Sequence, residues 1–315
     1  MKNLLIATTA LVATAGVAAA DVTLSGYARF GAVYDDNAPA GVDDVRTASR
    51  LRLQFDATTE TDGGLTLGVR SRMQAEENSA GVFNGARFFG SAGGLTIAVG
   101  NILGVIEAAP NLYLPTKSAG VGLEGNYFAD LATNTVSNGS FFNWTAYSIP
   151  FFDGVTRQGF FGSGPQEGVE VIYSMNGIGL HAHSTATSYG LGANYKFADY
   201  TVAVAYEEWD EGVRDGDSIL FLSAGGRFGA FNAALSYAET DFGGISADKA
   251  SLNAGYNVND AVYVYGYVAS ENNSVGESFG LGASYALGGG ASVEGGWEQN
   301  AAGDNRVSAG VFFSF

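Results

Sequence analysis

Val22-Thr23-Leu24-Ser25-Gly26-Tyr27-Ala28-Arg29-Phe30-Gly31-Ala32-Val33-Tyr34 alternates along its length. Leu24, Gly26, Ala28, Phe30, Ala32 and Tyr34 fall on one side of an extended chain, and Thr23, Ser25, Tyr27 and Arg29 on the other. A repeat of two marks a strand with one apolar and one polar face, whereas a helix repeats every 3.6 residues.

The pattern returns outward from this stretch. Arg50, Arg52, Gln54 and Asp56 alternate with Leu51, Leu53, Phe55 and Ala57, and Leu65, Leu67 and Val69 with Thr66, Gly68, Arg70 and Arg72. Later, Tyr189, Leu191, Ala193, Tyr195 and Phe197 oppose Asn194 and Lys196, Val202, Val204 and Tyr206 oppose Thr201 and Glu207, and Phe279, Leu281, Ala283, Tyr285 and Leu287 oppose Ser278 and Ser284. Each segment runs about 8–12 residues, the length of a tilted strand that crosses a bilayer. Composition agrees: 46 glycines, 13% aromatic and only 15% charged residues at a mean hydropathy of +0.08, where a soluble domain carries about a quarter charged residues. Strands with one face to lipid and one to water average to this neutral value.

The connections alternate as well. Tight ones at Ala198-Asp199, Gly229-Ala230, Asn259-Asp260 and Gly288-Gly289-Gly290 interleave with longer polar ones at Asp35–Val45, Asp210–Asp217, Asp241–Asp248 and Glu271–Gly276. Short turns on one side and long loops on the other are the outer-membrane arrangement. The expected fold is all-β, a transmembrane antiparallel barrel.

Residues 101–167 break the alternation and hold four of the five prolines, Pro110, Pro115, Pro150 and Pro165. Proline has no N–H for a ladder, so this is an insert rather than central strand, and a long insert in a compact chain is usually functional. Reading Phe141–Ile149 and Val155–Gly162 as strands gives about 18; leaving them in the insert gives about 16, the count preferred here because of Pro150 and the glycine-rich flanks.

At the start, Met1-Lys2 supply a positive end, Leu4 to Val17 an apolar run and Ala18-Ala19-Ala20 a small-residue cleavage site before Asp21. Residues 1–20 read as a cleaved signal peptide, because the run is too short and too rich in Thr and Ala to anchor in a membrane. Residues 21–315 then form a single domain. Loss of Lys2 moves the formal charge from −17 to −18, which excludes nucleic-acid binding without added cations. The chain has no cysteine, so disulfides and thiolate metal sites are excluded in an exported protein. At the other end, Val307, Ala309, Val311, Phe313 and Phe315 close the chain on an outward aromatic.

Leu24-Ser25-Gly26-Tyr27-Ala28-Arg29-Phe30-Gly31, Ser49-Arg50-Leu51-Arg52, Thr58-Thr59-Glu60-Thr61-Asp62-Gly63-Gly64, Val99-Gly100-Asn101 and Gly280-Leu281-Gly282-Ala283-Ser284-Tyr285 resemble the trimeric general-diffusion porins of purple non-sulfur alphaproteobacteria. The resemblance covers nearly the whole of 21–315 and thins over 101–167. It implies a 16-stranded barrel in the bacterial outer membrane, three copies per assembly, and a third loop folded into each pore. Small hydrophilic solutes and ions would pass through by passive diffusion, with outer-membrane lipid and lipopolysaccharide outside. The terminal Phe315 resembles the signal read by the outer-membrane insertion machinery.

Seven of eleven arginines, Arg29, Arg46, Arg50, Arg52, Arg70, Arg72 and Arg87, lie in the first 90 residues. Alternation turns Arg29, Arg50, Arg52, Arg70 and Arg72 to the lumen, and Arg87 joins them. Counted from the strand ends, these and Arg306 stand near mid-height and form a basic wall. Guanidiniums at one level repel unless carboxylates face them. Glu107, Glu124 and Asp130 of the insert are the candidates, ahead of Asp153 and Glu167. Two opposed rows would set a transverse field that favours polar solutes.

His181 and His183 share a face but have no evident third metal ligand. The loop carboxylates Asp210, Glu211, Asp215 and Asp217, like Asp35, Asp36, Asp43 and Asp44, are solvated charges that a hard cation such as calcium can bridge. No other cofactor is expected. Enzymatic readings find no support: there is no Gly-x-Ser-x-Gly elbow, and Gly162-Ser163-Gly164 and Gly190-Leu191-Gly192 precede no helix. The alternatives to a general channel are an anion- or substrate-specific channel using the arginines, and a barrel that serves mainly as an envelope anchor.

Overall fold

The structure, a computed structural model, describes residues 20–38, 40–77, 81–114, 134–135, 140–141, 167–273 and 276–315. Residues 1–19 of the expected signal peptide lie outside the described residues.

Among the described residues sixteen strands form one closed antiparallel ring. They are β1 (Asp21–Asp35), β2 (Val45–Glu60), β3 (Thr66–Glu76), β4 (Val82–Phe83 and, after a break, Arg87–Ala92), β5 (Leu95–Asn101), β6 (Glu167–Met175), β7 (Ile178–Thr185), β8 (Ser188–Phe197), β9 (Tyr200–Trp209), β10 (Ser218–Phe228), β11 (Phe231–Phe242), β12 (Ile245–Asn257), β13 (Val262–Glu271), β14 (Glu277–Gly288), β15 (Ala291–Gln299) and β16 (Asn305–Ser314). The two pieces of β4 both pair with β3, so they count as one strand. Each strand pairs with its sequence neighbours and β16 returns to β1. The ring closes at sixteen without Phe141–Ile149 or Val155–Gly162, nearly all of which lie outside the described residues.

Alternation becomes inside and outside. Leu191 and Leu281 are 63% and 65% exposed on the outer face, while Arg29 is 6% and Glu207 0% exposed on the inner. In a water-soluble protein this would be inside out. In a bilayer it is the low-energy arrangement, since lipid solvates the apolar face and the closed ladder leaves no strand edge unpaired.

Turn chemistry sets the ends. Asn176-Gly177 and Gly243-Gly244 have positive φ at both central positions (52° and 82°, 57° and 77°), the two-residue hairpin geometry that follows strand twist. The second pair corrects an expectation: Asp241–Asp248 is no long loop, because Asp241 pairs with Ser246 and Phe242 with Ile245 across Gly243-Gly244. Two glycines that accept left-handed φ let both strands run to the turn.

Aromatic rings ring the short-turn end of the outer face. Tyr195, Phe197, Tyr200 and Phe228 form a chain with centroids 5.8, 5.5 and 5.2 Å apart, and Phe231 and Tyr256 approach to 4.4 Å. Such girdles sit at the headgroup level. At the seam the amide of Gly26 donates to the Phe315 carbonyl at 2.9 Å, and Phe315 returns the bond to Gly26 at 3.0 Å. The chain terminus therefore finishes the ring.

Candidate functional site

The basic wall occupies β1 to β4. Arg29 stands directly opposite Arg50, and on successive strands Arg52 faces Gln74, Arg72 faces Gln54 and Arg70 faces both Asp56 and Arg87. The positions step down the strands as they pass from β1 to β4. Closed barrels tilt their strands by about 35–45° and stagger the register, so a line of constant height also steps down from strand to strand. Arg29, Arg50, Arg52, Arg72, Arg70 and Arg87 thus form a band around one wall.

Carboxylates are built into that wall. Glu76 accepts from Arg50 Nε at 2.6 Å, Asp56 accepts from Arg70 Nε at 2.6 Å, and Glu170 of β6 accepts from Arg87 Nε at 2.5 Å. Arg52 and Arg72 donate to the side-chain oxygens of Gln74 and Gln54 at 2.7 and 2.9 Å, and Arg52 also lies 5.5 Å from the Tyr27 ring centroid. Each fork is held by a neighbour on the same sheet, which fixes planar guanidiniums that would otherwise rotate freely.

One of the expected residues takes a different place. Arg306 pairs across the seam with Asp35, six positions toward the long-loop end from Arg29 and roughly 20 Å along the strand. Counting up from Phe315 misplaces it because β1 begins before β16 ends, with Tyr27 opposite Ser314. Arg306 instead shares Asp35 with Arg46, both at 3.4 Å, and lies 3.5 Å from Glu298. Arg87 keeps its place at the end of the band, where its partner Glu170 is fully buried and also contacts His181 Nε2 at 3.0 Å.

Across the lumen the start of the insert lies on the inner wall. Val105, Ile106 and Leu112 pack against Ala205, Trp209, Ile219, Phe221 and Ala238 of β9, β10 and β11, and Leu114 against Tyr265, Tyr267 and Ala269 of β13. This explains the apolar lumenal positions Ile219 and Phe221, which break the water-facing pattern at the place where the insert covers them. Polar pins hold the backbone. Leu103 N donates to Glu170 Oε2 at 3.3 Å and Val105 N to His183 Nδ1 at 3.2 Å. Farther on, Ser223 Oγ donates to the Pro110 carbonyl at 2.7 Å and Ser236 Oγ to the Asn111 carbonyl at 3.0 Å.

Glu107, one of the three expected acids, is half-buried and accepts from Tyr113 OH at 2.5 Å. Glu124 and Asp130 lie outside the described residues, as does Asp153. His181 and His183 share the lumenal face; His183 anchors the insert, and His181 contacts Glu170. Among the described residues no three metal-ligating side chains converge. Reasoning along single strands missed Glu76, Glu170 and His183 as partners. Asp56 was visible as a polar position on the same face as the arginines of its own strand.

The comparisons agree with this geometry. The profile of the family described as Gram-negative porin matches residues 7–305. The chain is 27% identical over 311 residues to a porin from Fuscovulum blasticum, covering 94% of this chain and 100% of that one. Among solved structures it is similar to a triple mutant of Rhodopseudomonas blastica porin, at 25% identity and a TM-score of 0.74, with 94% of this chain and 100% of the other covered. A second engineered variant of that porin gives 26% identity at the same TM-score and coverage.

Proposed function

The chain belongs to the Gram-negative porin family, an outer-membrane channel for passive diffusion and not an enzyme, and from that premise we propose that its lumen narrows between the arginine wall and the insert. Arg29, Arg50, Arg52, Arg70, Arg72 and Arg87 supply the basic side; Glu107, Glu124 and Asp130 supply the acidic side. One observation carries this reading: residues 102–114 run from β6 and β7 along the inner face of β9 to β13, on the side of the ring opposite β1 to β4. A solute passing between them crosses a field from one wall to the other. Polar molecules align dipoles in it, and apolar ones must displace oriented water without replacing its bonds.

Net preference is for cations, weakly. The arginines favour anions locally, but the acids within their own wall, the insert carboxylates and the acidic loops oppose them, and the loop contribution fades as salt shortens the Debye length. Reversal potentials in a salt gradient test this. Replacing Glu107, Glu124 and Asp130 with amides should move selectivity toward anions; an unchanged reversal potential would remove those acids from the constriction. Firm anion selectivity in the natural chain at low salt would instead favour the anion-specific channel.

The assembly is an oligomer in this reading, and the finer state is a homotrimer. Gly26, Ala28 and Ala32 keep the outer face of β1 shallow enough for close approach. Native mass in a detergent that preserves porin trimers decides it. Residues 1–20 are removed on export, which N-terminal sequencing reads directly. Calcium would bridge the loop acids that hold no arginine among the described residues, Asp36, Asp43, Asp44, Asp210, Glu211 and Asp215. Chelation should then lower thermal stability.

A further inference from the structure

Lys196 and Arg227 differ from every other described cation in the barrel. Both point into the lumen near the short-turn end, on β8 and β10, and both are exposed. Neither side chain makes a hydrogen bond or an ion pair among the described residues, whereas Arg46, Arg50, Arg70, Arg87, Arg214, Lys249 and Arg306 all hold carboxylates.

The two cations line one cavity of about 440 Å³. Its roof is the insert, through Asn111 and Tyr113, and its walls add the amides Asn232 and Asn253, the hydroxyl Thr201 and a single acid, Asp199. The roof is rigid: Asn111 has a left-handed backbone (φ 63°), its Nδ2 donates to Ser223 Oγ at 3.3 Å and its carbonyl accepts from Ser236. Gly225 on the wall lets the insert come close at the edge of this cavity. A Cβ at Gly225 would stand 2.7 Å from Ala234 Cβ and 2.8 Å from Asn111 Oδ1. Donors outnumber acceptors, and positive charge exceeds negative by one.

We propose that this cavity is a binding station for small dianionic solutes bearing carboxylate or phosphate oxygens, set between the constriction and the short-turn mouth. Lys196 and Arg227 are two strands apart, roughly 10 Å at the backbone. Their flexible stems let the charged ends close on one solute from two sides. The amides and Thr201 supply neutral donors for its remaining oxygens, as in small-molecule sites where a few polar groups fix orientation. Lys196 and Arg227 reach such a ligand without breaking an existing ion pair, so the cost that arginines of the opposite wall would incur is absent. The inference rests on the channel reading: a solute that has passed the constriction meets this station next.

The test uses the full-length protein in detergent and in planar bilayers, with succinate and inorganic phosphate as separate probes. Calorimetric titration measures binding without relying on conduction. The expected result is saturable binding of one or both probes, with the same probe reducing open-channel current in potassium chloride. Each of Lys196→Gln and Arg227→Gln should weaken binding at least about tenfold, because each removes a charge-assisted bond. Conductance in potassium chloride alone should persist in both variants. Binding by succinate only, or phosphate only, identifies which oxyanion the station prefers. Absence of saturable binding by either probe, or equal binding by the variants, overturns the station while leaving the channel intact. Loss of conductance in the natural protein would instead overturn the channel reading, with calorimetry still deciding the site.

Discussion

The amide of Val105 donates to Nδ1 of His183 at 3.2 Å, in a place where both residues are nearly closed to solvent. With the bond from Leu103 N to Glu170, it ties the first turn of the insert to the barrel wall. It also selects the neutral ring with its proton on the other nitrogen, since a protonated imidazole has no lone pair to offer. Replacing His183 with Leu keeps the bulk and removes the acceptor. A buried N–H left without a partner costs about 1–3 kcal/mol, so His183→Leu should increase open-channel current noise and lower the unfolding midpoint. Single-channel recording and thermal melting check both.

Two ion pairs of nearly equal length predict very different losses. Arg87 to Glu170 and Arg70 to Asp56 measure 2.5 and 2.6 Å, but Glu170 is fully buried and Arg70 is one-third exposed. Removing one partner of a buried pair strands the other charge, at about 3–5 kcal/mol, whereas a partly solvated pair is screened by water and its loss costs less. Glu170→Ala should therefore destabilise the barrel several-fold more than Asp56→Ala. Urea unfolding in lipid vesicles reads the difference.

Arg214 organises the loop between β9 and β10. Its guanidinium lies 3.9 Å from the Trp209 ring centroid and 3.1 Å from Asp217, whose other oxygen accepts from Gly243 N at 2.7 Å. Burial pulls the Arg214 pKa below its ordinary value, opposed by Asp217, yet the group stays charged because that value starts so high. Arg214→Ala should release both the loop and the Gly243-Gly244 turn. Faster cleavage by an added protease within 210–217, with conductance retained, is the expected outcome.

Asp36 gives the seam an acid dependence. It accepts from Asn305 N and Nδ2, both at 2.7 Å, and these bonds hold its carboxyl below the usual range. A depressed folded pKa stabilises above the unfolded value, about 3.9, and that contribution disappears as pH falls through the folded value. Thermal stability should drop below about pH 4 in the natural protein, and Asp36→Asn should flatten that part of the profile. An equal slope in both would place the acid-sensitive group elsewhere.

The stretch Val22–Tyr34 and its repeats were enough to specify strands, their length and which side faces lipid. Those properties are local: they follow from successive side chains pointing to opposite faces, whatever the partner strand. The insert was legible for the same reason, since prolines between 110 and 165 forbid a ladder. Tertiary structure alone decided who stands beside whom. Closing a tilted barrel shifts register between neighbours, and that shift carries Arg306 to Asp35 rather than to Arg29. It also sets Glu76 beside Arg50 and Glu170 beside Arg87, so part of the counter-charge sought in the insert comes from the wall. His183 became an anchor only because the insert folds back over β7, a contact between residues 78 positions apart. Strand alternation fixes direction along one chain segment, but distance between segments depends on stagger and closure, which no single segment contains.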